Sequence, residues 1–395
     1  MSSYSIRLNV HFGAGEALKT GLLCKGLGTR ACIVSDPFFQ NSAALRDIQK
    51  SLTEHDISAA CFFGFRSDPD CTDVDRCVEF IRQEQCDFVV ALGGGSCIDT
   101  AKAAALTAGN GGICWEYCSQ TLPDGTNGPA RLPQREALPI VAIPTTAGSG
   151  SEADRGCVIS NRALCVKSGI GHDSLYPRVS IVDPCLMTGL PPLQTAYTGF
   201  DAFSHALESY LLRTTTYFSE ATALESIRLF GEAYLPAVRC GGDLAAREKM
   251  ANASTLAGIN IALTDTSVGH VLGQPLSALH HMVHGATLAV TLDSIVEWIL
   301  PEAADKLARV AVLLEPSLAG QAQAAQAARL PDILRELKKN AGIDRRLGDF
   351  GVSRQDVPRI LDYVEAHVGL DSPILTQYAK APDRTDLAQI LSASF

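Results

Sequence analysis

The chain lacks a run of basic residues, an apolar stretch of membrane-spanning length, a Cys-x-x-Cys pair and any internal repeat, and each absence removes a class of protein. Lysine and arginine number 33 against 43 aspartates and glutamates, a net charge of −10. An acidic chain without a basic patch repels phosphate backbones and anionic lipid, which excludes nucleic-acid and membrane-surface roles. No apolar run approaches the roughly 20 residues of a bilayer helix. The 13 cysteines never take zinc-ribbon or thioredoxin spacing, the nearest approach being Cys114 and Cys118. Met1-Ser2-Ser3-Tyr4 carries neither the positive cluster nor the apolar core of a secretory leader, so a cytoplasmic location is expected. In that reducing setting the thiols are expected to act as small buried apolar groups.

What remains is an ordinary globular composition: 395 residues, 46% hydrophobic and 19% charged. At about 150 residues per domain this length suggests two or three domains. The first half alternates short apolar strands with helical patterns, the signature of a parallel sheet covered by helices. Expected strands are Ser5–Phe12, Ala31–Ser35, Ser58–Phe63, Phe88–Leu92, Ile140–Ile143 and Val179–Val182, with helices such as Ala43–Glu54 and Val74–Gln85 between them. A stretch from Ala108 to Leu138 containing Pro123-Asp124-Gly125 and Asn127-Gly128-Pro129 reads as a long loop. Beyond Asp183-Pro184 and Pro191-Pro192 strand signals fade, and long Ala-, Leu- and Glu-rich helices are expected. The boundary falls near residue 185, giving an α/β domain at 1–184 and an all-helical domain at 185–395.

Three loops carry candidate chemistry. Phe88–Leu92 runs into Gly93-Gly94-Gly95-Ser96 and then a helix, an arrangement in which bare backbone and free N–H groups can meet a pyrophosphate. It is neither Gly-x-Gly-x-x-Gly nor a P-loop, and a plain tight turn would use the same glycines. Asp36 ends a strand, where a carboxylate can accept ribose hydroxyls of NAD and repel the extra phosphate of NADP. It could equally cap the turn that starts at Pro37. Pro144-Thr145-Thr146-Ala147-Gly148-Ser149-Gly150-Ser151-Glu152 gathers hydroxyls and glycines at a further strand end.

In the helical half, Asp201 and His205 are four apart and share one helix face. His270 and His284 are 14 positions apart, which on one straight helix means a rise of about 21 Å, too far to share an ion. Pro275 and Ser277 are expected to turn the chain between them, letting both histidines converge. One carboxylate and three imidazoles would suit Fe(II) or Zn with room for an oxygen ligand. A surface acid with unrelated histidines is the alternative on spacing alone.

Taken together, Gly93-Gly94-Gly95-Ser96-Cys97-Ile98-Asp99-Thr100-Ala101-Lys102, the Thr145–Glu152 loop, Asp183-Pro184-Cys185-Leu186, Thr198-Gly199-Phe200-Asp201-Ala202-Phe203-Ser204-His205-Ala206-Leu207-Glu208 and His284-Gly285 resemble the iron-containing, group III alcohol dehydrogenase family. The resemblance implies the dehydroquinate synthase-like fold: an N-terminal dinucleotide-binding domain, an all-α metal-binding domain and an active site in a cleft between them. It implies metal ligation by Asp201, His205, His270 and His284, with Fe(II) first and Zn second. It implies NAD binding through Asp36, Gly94, Gly95, Ser96, Asp99, Thr145, Thr146, Lys167 and Leu186, and it puts His270, Gln274 and Asp99 forward for the chemical step.

Three positions depart from the family pattern. Gln274 stands where a second histidine is common, which removes a proton relay. Cys97 replaces a frequent proline, and Asp154 a usual threonine. His280 and His281 are unusual neighbours of the fourth ligand, and either could take over proton transfer. The implied function is NAD(H)-linked oxidation of a small primary alcohol or reduction of its aldehyde, by a homo-oligomer. A hydroxyacid-oxoacid-type transhydrogenase, a glycerol-dehydrogenase-like polyol enzyme and dehydroquinate synthase share the fold, and a non-catalytic metal or redox sensor is a different class that the thiols suggest.

Overall fold

The computed structural model describes residues 5–121 and 127–395. The leader reading at Met1–Tyr4 and the Pro123-Asp124-Gly125 turn lie outside the described residues. The chain divides into two compact units, Ser5–Gly189 and Leu190–Phe395.

In the first unit six strands form a parallel sheet: β1 (Val10–Phe12), β2 (Arg30–Ser35), β3 (Ser58–Phe62), β4 (Phe88–Gly93), β7 (Ile140–Pro144) and β10 (Val179–Val182), in the order β1-β10-β7-β4-β2-β3. The inner strand β4 is buried along its whole length, as a central strand covered on both faces must be. Alternate residues serve opposite faces. Ala31, Ile33, Phe88, Val90 and Leu92 join one core with Leu45, Ile48 and Leu52 of α2 (Ala43–Thr53). Cys32, Val34, Val89 and Ala91 join the other with α3 (Cys71–Gln83) and α4 (Gly95–Asn110). The short α1 (Thr20–Leu23) precedes β2.

From β2 the chain moves outward to β3, whereas from β4 it moves the other way to β7. The sheet therefore reverses direction between β2 and β4, and the carboxyl ends of these two strands, at Asp36 and Gly93, flank the crevice where open α/β sheets bind ligands.

Three features of this unit differ from expectation. The loop after α4 contains a 3-10 turn (Cys114–Tyr117) and a small antiparallel pair, β5 (Ser119–Thr121) with β6 (Asn127–Pro129). A second hairpin, β8 (Gly156–Asn161) with β9 (Val166–Gly171), has no counterpart among the expected strands, because its small polar residues hide the alternation. Strand β1 is also shorter than expected, covering three residues.

The second unit is built on α5 (Pro192–Tyr210), α6 (Tyr217–Arg239), α7 (Leu244–Leu263), α8 (Val268–His280), α9 (His284–Leu314) and α10 (Gln323–Asn340), followed by α11 (Val357–His367), α12 (Pro373–Thr376) and α13 (Arg384–Ala393). Helix α5 is buried over most of its length, and its Phe200 and Phe203 pack on Phe230 and Tyr234 of α6, with the Phe203 and Phe230 rings stacked at 4.7 Å. Lys338 of α10 is buried against α9, donating to the Asp293 carboxylate at 2.8 Å and to the Ala289 carbonyl at 2.9 Å. None of the described helices is long and apolar enough to cross a membrane.

The expected turn at Pro275 and Ser277 is corrected by the structure. Helix α8 continues through both residues to His280, and the chain turns at His281, Met282 and Val283. His281 supplies the corner with a left-handed φ of 56°. Pro275 forfeits one backbone hydrogen bond, and it is buried inside the continuing helix.

Candidate metal centre and nucleotide loops

Asp201 and His205 project one turn apart from α5, His270 lies in the first turn of α8, and His284 opens α9. One ligand atom from each lies within 4.8 Å of all the others. Asp201 Oδ1 is the hub: His205 Nδ1 stands 3.7 Å away, His270 Nε2 3.8 Å and His284 Nε2 3.6 Å. These separations are too long for hydrogen bonds. They suit atoms sharing one ion, since donors about 2.1 Å from a tetrahedral ion lie about 3.4 Å apart. Asp201 Oδ1 and His270 Nε2 are buried and have no hydrogen-bond partner among the described residues. Buried polar atoms are normally paired, so two of them facing one another at this separation fit ligands of a shared cation.

Electrostatics point the same way. Burial alone would raise the Asp201 carboxyl, but the surrounding His205, His270 and His284 hold it well below the usual carboxylate range. Burial opposes charge on His270, yet Glu208 and Asp201 overcome it and push that imidazole up to about 9. Asp201 and His205 are nearly inaccessible, whereas the His284 side chain is 41% exposed, so the cluster is open to solvent on that side.

Glu208 is the residue that spacing analysis passed over. It is fully buried on α5, and its Oε2 accepts a 3.0 Å hydrogen bond from His270 Nδ1 and another from the Ser267 backbone N–H. Its position seven residues after Asp201 and three after His205 is the signal that could have revealed it. Gln274 lies one turn beyond His270 on α8 and is half-buried. His280 is half-buried at the end of α8, where burial lowers its pKa, and His281 is exposed.

In the α/β unit, Asp36 caps the Pro37–Phe39 turn, its Oδ1 accepting from the Phe38 N–H at 2.8 Å. The glycine loop leads into α4, and side chains explain its bareness. A Cβ on Gly94 would lie 3.1 Å from Thr146 Oγ1, and one on Gly95 2.8 Å from Ser149 Oγ. Thr145 is buried, and its N–H bonds the Gly93 carbonyl. The two strand-end loops are thus packed against each other.

Asp99 has both oxygens engaged, one by Ser151 Oγ at 2.8 Å and the other by the Val158 N–H at 2.9 Å, and burial raises its pKa to about 6 despite the Lys102 charge. Ser96 Oγ accepts from the Asp68 N–H, and Lys167 on β9 pairs with Asp68 at 2.6 Å. Asp154 is the partner of the fully buried Lys102, at 2.7 Å. Leu186 packs against the core that contains α2. Asp68, Ser151 and Asp154 bear on these loops through contacts distant in sequence, which periodicity does not report.

A parallel sheet with nucleotide-type loops at its switch point and a helical unit bearing an Asp/His₃ cluster define a metal- and dinucleotide-using oxidoreductase class. Comparison with known proteins sharpens this. Residues 8–184 match the model of iron-containing alcohol dehydrogenase, and residues 195–395 that of the C-terminal region of the Fe-containing alcohol dehydrogenase family. The chain belongs to the iron-containing alcohol dehydrogenase family. It is 34% identical over 347 residues to the NAD-dependent methanol dehydrogenase of Bacillus methanolicus, covering 87% of this chain and 88% of that one. It is 35% identical over 358 residues to the 1,3-propanediol dehydrogenase of Klebsiella pneumoniae, covering 89% of each. The crystal structure of a 1,3-propanediol oxidoreductase superimposes with a TM-score of 0.91 at 31% identity, covering 100% of both chains.

Proposed function

We propose that this protein is a divalent-metal-dependent, NAD(H)-linked alcohol dehydrogenase and aldehyde reductase for small primary alcohols and their aldehydes, with residues 1–184 serving the dinucleotide and 185–395 the ion. The carrying observation is the gap that Asp201, His205, His270 and His284 enclose, with buried Asp201 Oδ1 and His270 Nε2 left without hydrogen-bond partners. When bound, Fe(II) or Zn polarises the substrate oxygen and NAD supplies the hydride acceptor. Relatives named for methanol and 1,3-propanediol support short alkanols and diols as the substrate class.

The remaining tasks fall to the chain's own groups. Asp201, His205, His270 and His284 hold the ion. The backbone N–H groups of Gly94, Gly95 and Ser96 at the α4 N-terminus receive the pyrophosphate, and Asp36 accepts from the ribose. Thr145, Thr146, Lys167 and Leu186 shape the cofactor's seat. Asp99, with both oxygens engaged, holds α4 to the Ser151 turn and acts by positioning. Gln274 can donate and accept hydrogen bonds but exchanges no proton at neutral pH, so the proton leaves through water on the open His284 side. Cytoplasmic residence fits 13 cysteines that are all free, and homo-oligomer assembly is carried by the family resemblance alone.

The test is an aldehyde panel followed by NADH consumption under anaerobic conditions, with Fe(II)- and Zn-loaded protein compared. Turnover is expected only in loaded protein, and His270→Ala should lose roughly a thousandfold in rate, about 4 kcal/mol of barrier, while still binding NADH. Full activity in metal-stripped protein would overturn the reading.

A further inference from the structure

We infer that Glu208 is the positioning residue of the metal centre: it fixes the ring orientation and tautomer of His270 and supplies the second negative charge that matches a divalent ion. The inference rests on the metal reading above and goes beyond it, because Glu208 contributes no ligand atom to the four-residue cluster.

The geometry is specific. Glu208 stands on the same face of α5 as Asp201 and His205, two turns beyond the first and one beyond the second. Its Oε2 lies 3.0 Å from His270 Nδ1. A carboxylate only accepts hydrogen bonds, so Nδ1 must carry a hydrogen, and Nε2, facing Asp201 Oδ1, is the nitrogen left to give up its proton and meet an ion. The same Oε2 accepts from the Ser267 N–H, which ties the carboxylate to the start of α8, where a negative charge also meets the positive end of the helix dipole. Histidine ligands that donate their second nitrogen to a carboxylate are better oriented and more basic toward the ion.

Two further observations separate this role from ordinary packing. A Cβ on Gly269 would fall 2.2 Å from Glu208 Oε1, so the residue beside His270 has to be bare for the carboxylate to reach its place. Glu208 Oε1 is itself buried with no hydrogen-bond partner among the described residues. A neutral amide or an apolar side chain would sit there at lower desolvation cost. A carboxylate is explained by charge: with Asp201 it brings −2 into a buried site, the balance of a divalent cation.

The test uses the full-length protein, stripped of metal and titrated with Zn(II) or Co(II) against a chromophoric chelator. Glu208→Gln keeps the shape and loses the charge. We expect its metal affinity to fall by about 10- to 100-fold, its release of ion to chelator to quicken, and the visible d–d bands of its Co(II) form to shift, while NADH binding stays as in the parent. Gly269→Ala, which displaces the carboxylate from the other side, should weaken metal binding in the same direction and serves if Glu208→Gln does not fold.

Parent-like affinity together with an unchanged Co(II) spectrum in Glu208→Gln would overturn the positioning role while leaving the metal reading in place. A parent protein that binds no divalent ion, indistinguishable from Asp201→Asn, would overturn both.

Discussion

The two candidate sites differ in how complete they are without their ligands. In the α/β unit the charged side chains near the glycine loop are already satisfied: Asp99 by Ser151 and Val158, Lys102 by Asp154, and Lys167 by Asp68. On the proposed reading this unit offers a cofactor backbone N–H groups, shape and the Asp36 carboxylate, which cost little when left to water. In the helical unit, Asp201 Oδ1 and His270 Nε2 are buried and point at a gap. On the proposed reading the first site is finished by folding, and the second is finished by an ion. Metal should therefore be coupled to the stability of its unit far more strongly than nucleotide is to its own.

The largest expected effect tests that coupling directly. With metal and NADH at one common concentration, about a thousand times the metal's dissociation constant at neutral pH, metal should stabilise the protein by about 4 kcal/mol, read as a rise in the calorimetric midpoint, with NADH giving the smaller shift. The effect has a sign in pH. The metal-free His270 imidazole is raised from 6.5 to about 9, so the stability it lends the empty protein is complete below pH 6.5 and disappears as pH climbs through 9. An ion displaces that proton, so the gain on loading should grow across the same window. A loading gain that shrinks with rising pH would break the comparison.

A smaller effect is expected from damaging the self-satisfied side. Asp154→Ala leaves the buried Lys102 ammonium with backbone carbonyls alone, and should cost about 3 kcal/mol in denaturant unfolding. Metal affinity in that variant should stay unchanged. A drop in metal affinity equal to the drop in stability would show that the two units do not behave as separate energetic compartments.

The smallest effect concerns the glycine loop. Gly95→Ala places a methyl 2.8 Å from Ser149 Oγ and 2.9 Å from Ser149 Cβ, so the neighbouring Thr145–Glu152 loop has to shift with it. An increase of about tenfold in KM for NADH is expected, corresponding to about 1.4 kcal/mol, with the metal content of the protein intact. Unchanged KM would mean that the backbone of this loop is not where the pyrophosphate lies.

Much of the fold was legible because its signals are local. The strand Val179–Val182 and the helix starting at Ala43 are read from apolar patterns, and the structure has them at those positions. The hairpin of β8 and β9 was not legible, since glycine and serine on its strands erase the alternation that marks a half-buried strand. The cluster of Asp201, His205, His270 and His284 was legible as a set of residue types and as a family pattern. Its convergence depends on a corner placed by the His281 backbone, and proline statistics put that corner six residues too early. Glu208 remained hidden for another reason: a glutamate in an amphipathic helix ordinarily faces water, and only packing shows that this one faces His270.

The three-residue corner at His281, Met282 and Val283 also bears on how the chain can vary in length. Helix α9 begins with His284 itself, so any residue removed from the corner has to be recovered by unwinding the turn that carries this candidate ligand. Each residue of helix turns the chain by about 100°, enough to swing an imidazole out of reach of Asp201. Substitutions in the corner are tolerable wherever the left-handed position at 281 is respected, with asparagine or glycine as natural replacements. Deletions are not, so this short segment acts as a ruler whose length matters more than its composition.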